Sequence, residues 1–329
     1  MIDTHYDLLS IAYIAHLKND YSYLEQISQY FNEKNVTGVI ANLYFMSEKE
    51  MIEELHPNYY NKDVSVCRMF KIAKEILDTY LPNVDILYSI EGADYIRGCK
   101  ELQELYQEGL DALILCWNTK SKYASGNRSS EGLTEAGKIL LNCAIDLGLG
   151  IDLSHANKHT FYDMVEVIKT AQKEGKDVCA YASHSNSRTL CSRDRNLDDD
   201  QLEKIKEING LVGVFSNKNF IVDKLERESM TSKELYQKYL EHIDHIGNII
   251  DFSNVMCATD DMDFCKEADY EYGEVAIYNY SSIAHTLMSQ LKGKYGETIA
   301  YKIIYENANK LFNKIRKQRK KTERKDVSL

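Results

Sequence analysis

The chain opens Met1-Ile-Asp-Thr-His-Tyr-Asp7, an apolar start running directly into a histidine and an aspartate one residue apart. On a β-strand, residues i and i+2 point to the same side. An imidazole and a carboxylate presented together at a strand end form half of a metal site. By itself the pair is a weak signal, because a surface histidine beside a surface aspartate has the same spacing. Its meaning depends on what recurs downstream.

Working outward, short β-branched runs alternate with longer helical patterns. Strands are predicted over 2–4, 36–45, 84–89, 112–115, 150–153, 178–181, 211–215 and 255–259. Helices are predicted near 20–34, 62–80, 94–108, 131–147, 157–174, 198–209, 231–249, 275–293 and 297–316. Strands separated by helices mean parallel β-α units with right-handed crossovers. Eight such strands point to an α/β fold of the closed (β/α)8 TIM-barrel type. The alternative, an open doubly wound sheet, wants a glycine-rich turn after its first strand, and residues 5–15 hold no glycine. No repeat or Pro/Gly-rich linker divides the chain, and Pro57 and Pro82 are its only prolines. One catalytic domain is therefore expected over 1–316, with a poorly ordered basic tail over 317–329.

Composition narrows the partners. A net charge of −11 argues against nucleic acid, which needs a basic surface. No apolar run of about 18 residues is present, so no transmembrane helix is expected. The N-terminus lacks a basic segment and an apolar segment of the secretory kind, which makes a cytoplasmic location the expectation. The eight cysteines include no C-x-x-C pair, so neither a zinc ribbon nor a redox dithiol is expected, and a disulfide framework is not expected either.

In a β/α barrel, chemistry sits where the strands end at their C-terminal face. Just past the first strand come His5 and Asp7; past the third, Glu91; past the fourth, Trp117, the only tryptophan. The fifth is followed by His155, the sixth by His184, and the eighth by Asp260 and Asp261. The second and seventh offer nothing obviously chemical. Histidine with carboxylate at one rim is the donor set of a zinc-type centre. His159, His242, His245 and His285 fall within helical patterns and read as surface or packing residues. Ser154 and Ser183 each precede a rim histidine, but neither has the G-x-S-x-G surroundings of a nucleophile elbow.

These residues resemble the membrane (renal) dipeptidase family of zinc metallopeptidases, among the amidohydrolase-type barrels. The resemblance rests on Asp3-Thr-His-Tyr-Asp-Leu8, Ser89-Ile-Glu-Gly92, Leu133-Thr-Glu-Ala-Gly137 and Gly150-Ile-Asp-Leu-Ser-His155. It continues through Ser183-His-Ser-Asn-Ser187, Arg193-Asp-Arg-Asn-Leu-Asp198, Asp260 and Glu306-Asn-Ala-Asn-Lys-Leu-Phe312. It implies two Zn²⁺ per chain. His5 and Asp7 would bind one ion, His155 and His184 the other, and Glu91 would bridge them. Asp260 would be the acid/base residue, and Arg195, rather than its neighbour Arg193, would hold the substrate's terminal carboxylate. Two departures lie on the substrate side. The family's T-H-N segment after the fourth strand is Cys116-Trp117-Asn118 here, and Asp260-Asp-Met-Asp-Phe264 lacks the usual glycine. Indole donates one hydrogen bond but neither accepts one nor carries charge. Trp117 is thus expected at the substrate.

The expected function is hydrolysis of the amide of a dipeptide or dipeptide-like small molecule by metal-activated water. The alternatives are a hydrolase of a non-peptide or modified-peptide amide, and a metal-binding relative weakened by Trp117. A small peptide is the expected partner, and the resemblance implies a homodimer.

Overall fold

The structure, a computed structural model, describes residues 1–44, 64–227, 229–260 and 283–326. Eight parallel strands follow one another in chain order: β1 Ile2–Tyr6, β2 Gly38–Tyr44, β3 Asp85–Glu91, β4 Ala112–Ile114, β5 Gly150–Asp152, β6 Ala180–Ala182, β7 Leu211–Phe215 and β8 Val255–Ala258. Between them run α1 Leu8–Lys18, α2 Ser22–Lys34, α3 Val66–Tyr80, α4 Cys99–Glu108, α5 Glu135–Leu147, α6 Lys158–Lys173, α7 Asp199–Glu207 and α8 Ser232–Ile250. After β8 come α9 Ile283–Tyr301, broken at Gly296 by a left-handed φ of 78°, a π-helical stretch Lys302–Glu306, and α10 Asn307–Asp326. This is the (β/α)8 barrel expected.

The barrel closes between β8 and β1 partly through a side chain. Thr259 N donates to Asp3 Oδ1 at 2.9 Å and Thr259 Oγ1 donates to Asp3 Oδ2, while Asp260 N donates to His5 O at 3.3 Å. The strands are buried on both faces, as parallel strands under helices must be. A second apolar cluster fills the N-terminal mouth. Ile2, Ile40, Leu87, Ala112 and Met256 from the strands meet Ala308, Leu311, Phe312 and Ile315 of α10. Caps set where the upper loops end: Thr134, Asn157, Asp198 and Thr231 each accept from a backbone N–H in the first turn of the following helix.

Three expectations need correction. Helix α1 falls where no helix is predicted. Leu8, Leu9, Ile11, Ala12, Tyr13 and Ala15 are all buried, so its surface is apolar on most sides and the 3.6-residue alternation is hidden. The tail expected from 317 is instead helix through Asp326. Arg319 donates to Leu110 O at 3.0 Å with its guanidinium over the Tyr106 ring, and Gln318 is buried, so packing on the barrel floor outweighs the charge of the segment. Cys99 and Cys143, 44 residues apart in sequence, form a disulfide between α4 and α5. Helix packing brings them together, which spacing in the sequence cannot show. Among the described residues no helix is long and apolar enough to cross a membrane.

Candidate metal centre

Six of the residues singled out from the sequence converge at the C-terminal mouth. His5 Nε2 lies 3.0 Å from Glu91 Oε2 and 3.9 Å from both Asp7 Oδ1 and Asp260 Oδ1. The other oxygen of the same carboxylate, Glu91 Oε1, lies 2.8 Å from His155 Nε2 and 3.9 Å from His184 Nε2. The two Nε2 atoms of His155 and His184 face each other at 2.9 Å. Glu91 therefore stands between two donor sets, with one oxygen toward each. The potential ligand groups are His5–Asp7–Glu91, Glu91–His155–His184 and His5–His184–Asp260, with donor atoms in each group within 4.8 Å of one another.

The backbone is bent to make this convergence. His155 and Asp260 both lie in the left-handed region, at φ 66° and 49°. That conformation is costly for residues with a Cβ and persists only where surrounding structure over-determines it. Asp7 sits at the N-cap position of α1, yet its side chain makes no capping bond, and Asp7 Oδ1 is buried without a hydrogen-bond partner. The carboxylate is turned to the centre instead.

The electrostatics follow from crowding like and unlike charges out of water. Burial opposes charge on His5, but Glu91, Asp7 and Asp260 outweigh it and raise its pKa to about 9. Burial also pushes Asp7 well above the carboxylate range, helped by the negative charge of Glu91. Burial acts the same way on Glu91, but His5 and His155 more than offset it and hold that carboxyl far down. Burial and the nearby Arg195 guanidinium lower His155 to about 4, and burial with the charge on His5 also lowers His184 well below the ordinary histidine value. Asp260 is raised by burial. Three imidazoles and three carboxylates with one orphaned oxygen are a donor set short of cationic charge, and divalent metal fits it.

Arg195 and Trp117 flank this cluster. Arg195 is buried, donates to Ser185 Oγ at 3.0 Å and His184 O at 2.7 Å, and stacks over the Phe215 ring. Its neighbour Arg193 is half-exposed and faces Asp223, so Arg195 is the one whose charge reaches the centre. Trp117 is half-buried on the rim, 6.2 Å from the His155 ring and 5.0 Å edge-on from Tyr44. Gly126 makes that placement possible, because a Cβ there would lie 1.7 Å from Trp117 O. Asp261 and Asp263 lie outside the described residues.

Several partners of the centre were not read from the sequence. Asn42, on the strand that offered nothing chemical, has Nδ2 3.0 Å from His5 Nδ1. An amide inside the apolar run Gly38–Tyr44 is the signal that could have found it. Asn217, just past β7, hydrogen-bonds Asp260. Asn118 Oδ1 faces His155 Nδ1 at 3.0 Å. Asp152 Oδ1 accepts from Ser154 N at 2.9 Å and Ser183 N at 3.1 Å, tying the end of β5 to that of β6 as Asp3 ties β1 to β8.

A barrel with this rim has the layout of the metal-dependent hydrolase barrels. The chain belongs to the membrane dipeptidase family (peptidase family M19), whose model matches residues 45–326. The match starts after β2, so His5, Asp7 and Asn42 lie outside it. An uncharacterized protein in the pqqA 5′ region of Klebsiella pneumoniae is 32% identical over 180 residues, 52% of this chain and 62% of that one. An uncharacterized protein in the PQQ-III 3′ region of Acinetobacter calcoaceticus is 28% identical over 194 residues, 56% and 58% of the two chains. The chain thus spans about three-fifths of the length of these relatives. The crystal structure of a metallo peptidase from Rhodobacter sphaeroides, liganded with a phosphinate mimic of the dipeptide L-Ala-D-Ala, shares the fold with a TM-score of 0.70. It is 20% identical, with 95% of this chain and 98% of that one covered.

Proposed function

We propose that this protein is a two-zinc hydrolase that cleaves the amide bond of a dipeptide or a dipeptide-like small molecule. The observation that carries the reading is Glu91, whose two oxygens face imidazoles of two different donor sets at 3.0 and 2.8 Å. In this reading His5 and Asp7 would hold one ion and His155 and His184 the other, with Glu91 shared between the two donor sets. When bound, the ion pair lowers the pKa of a water and polarises the scissile carbonyl. Asp260 accepts a proton at a carboxylate oxygen and hands it to the leaving amine. Arg195 supplies a fixed, buried cation for the substrate's terminal carboxylate. The family resemblance implies that a homodimer is the working assembly.

Trp117 supports a second reading, a non-peptide or modified-peptide amide as substrate. An indole N–H is the only polar group its side chain offers, and its broad apolar face suits a flat or apolar acyl group. One experiment separates the readings. Purified protein is loaded with zinc, its metal content measured, and hydrolysis followed on a broad dipeptide panel and a panel of N-acyl amino acids and other small amides. Two ions per chain with dipeptide turnover supports the first reading. Two ions with turnover of the other amides alone supports the second. His155→Ala is expected to lose one ion per chain, and unchanged metal content in that variant removes the ligand assignment.

A further inference from the structure

A histidine that offers Nε2 to an ion carries its proton on Nδ1, and that N–H needs an acceptor. His155 has its own, Asn118 Oδ1 at 3.0 Å. His184 Nδ1 lies 2.7 Å from Ser183 Oγ, and His5 Nδ1 lies 3.2 Å from the same oxygen. The His5 and His184 rings are stacked with centroids 3.4 Å apart, so one hydroxyl reaches both. Ser183 is fully buried. Its oxygen has two lone pairs, enough for two Nδ1–H donors if its own proton is directed elsewhere. Ser154 Oγ stands 3.4 Å away on that side.

Asn42 is a second neighbour of His5 Nδ1. Its Nδ2 is a donor, and it satisfies His5 Nδ1 only when that nitrogen bears no proton. An ion held at His5 Nε2 would leave the ring proton on Nδ1. Ser183 Oγ would then accept at that nitrogen, and turning over the Asn42 amide would bring its Oδ1, buried without a partner, to the same nitrogen as a second acceptor.

We propose that Ser183 is a positioning residue that sets the metal-binding tautomers of His5 and His184 together, so that the two halves of the centre take up metal as a linked pair. The inference rests on the ligand assignment under Proposed function. It gives Ser183 a task that its lack of nucleophile context left open. The backbone bonds of residue 183 do not use the hydroxyl. Ser183 N donates to Asp152 Oδ1 at 3.1 Å and Ser183 O accepts from Thr4 Oγ1 at 2.8 Å, both through the backbone of residue 183.

The test is a stepwise zinc titration against a competing chelator, with metal content read by mass spectrometry, on the wild type, Ser183→Ala and Asn118→Ala. Circular dichroism checks that each variant is folded. Ser183→Ala is expected to weaken both binding steps by about 10–100-fold, the usual cost of losing an outer partner of a ligating histidine. Asn118→Ala is expected to weaken one step only. A wild type that binds two ions while Ser183→Ala keeps either step unchanged overturns the inference and leaves the ligand assignment standing. A wild type that binds fewer than two ions overturns both. If Ser183→Ala does not fold, ¹⁵N imidazole spectra of the zinc-loaded wild type decide the matter. His5 and His184 both protonated on Nδ1 supports the role, and either ring bound through Nδ1 overturns it.

Discussion

The two mouths of the barrel are made from the same eight strands and are built to opposite ends. At the N-terminal mouth, the large side chains Phe312, Leu311 and Ile315 of α10 are buried against Ile2, Ile40, Leu87 and Met256. At the C-terminal mouth, His5, Glu91, His155, His184 and Asp260 crowd together, with Asp7 Oδ1 orphaned and two residues on left-handed backbone. Burying paired or unpaired charge is unfavourable without compensation, whereas burying apolar area is the main source of stability. The difference teaches that one end supplies the stability that lets the other hold a strained, charge-dense cluster.

Three substitutions break or sharpen that contrast. The largest effect is expected from Glu91→Gln, which removes the carboxylate between the two donor sets. Amide hydrolysis should fall by at least about 10³-fold and bound metal by about one ion per chain, while metal-free stability falls because His5 loses the carboxylate that holds its charge. Activity assays, metal analysis and a denaturant melt check it, and retained activity would break the division between the ends. Phe312→Ala acts on the other mouth. It should cost about 3–5 kcal/mol of stability by leaving a cavity, yet leave metal content per folded chain unchanged. Urea melts with and without zinc test this. Loss of metal at full folding would mean that the two ends are coupled.

The smallest effect concerns acid. His242 is buried near the upper loops, where its Nδ1 accepts from Ser187 N at 3.0 Å and its Nε2 donates to Ile221 O at 2.9 Å. Burial lowers its pKa from 6.5 to about 4. Between those values the unfolded chain binds a proton that the folded chain refuses, so stability falls as pH drops from about 6.5 to about 4 and is complete above that window. His242→Gln should flatten this acid limb, by no more than about 3 kcal/mol at pH 4. Melts at pH 4, 5.5 and 7 read it directly. An unchanged limb places the acid sensitivity elsewhere.

Much of the fold is legible because a parallel barrel repeats one simple unit. The strand runs of β2 to β8 are short, β-branched and separated by amphipathic helices, a pattern that local periodicity carries. Helix α1 escapes it because burial on most sides erases the alternation, and α10 escapes as an ordered element because its charges are local while the floor it packs on is not. At the rim, His5, Asp7, Glu91, His155, His184 and Asp260 are visible as polar residues just past predicted strands. Asn42 and Asn217 are not, since an amide has no chemistry of its own until it faces an imidazole or a carboxylate.

The amino-acid sequence by itself determined the β-α alternation, the eight-strand count, and which histidines and carboxylates stand at strand ends. These are properties of short windows, set by backbone sterics and side-chain periodicity. Only the tertiary structure decided that Glu91 divides its oxygens between two donor sets, that one Ser183 hydroxyl reaches two rings, and that Cys99 meets Cys143. Apart from the adjacent Ser183 and His184, those are distances of a few ångströms between residues tens to nearly two hundred positions apart. Closure of the barrel, not the neighbourhood of any one residue, sets them.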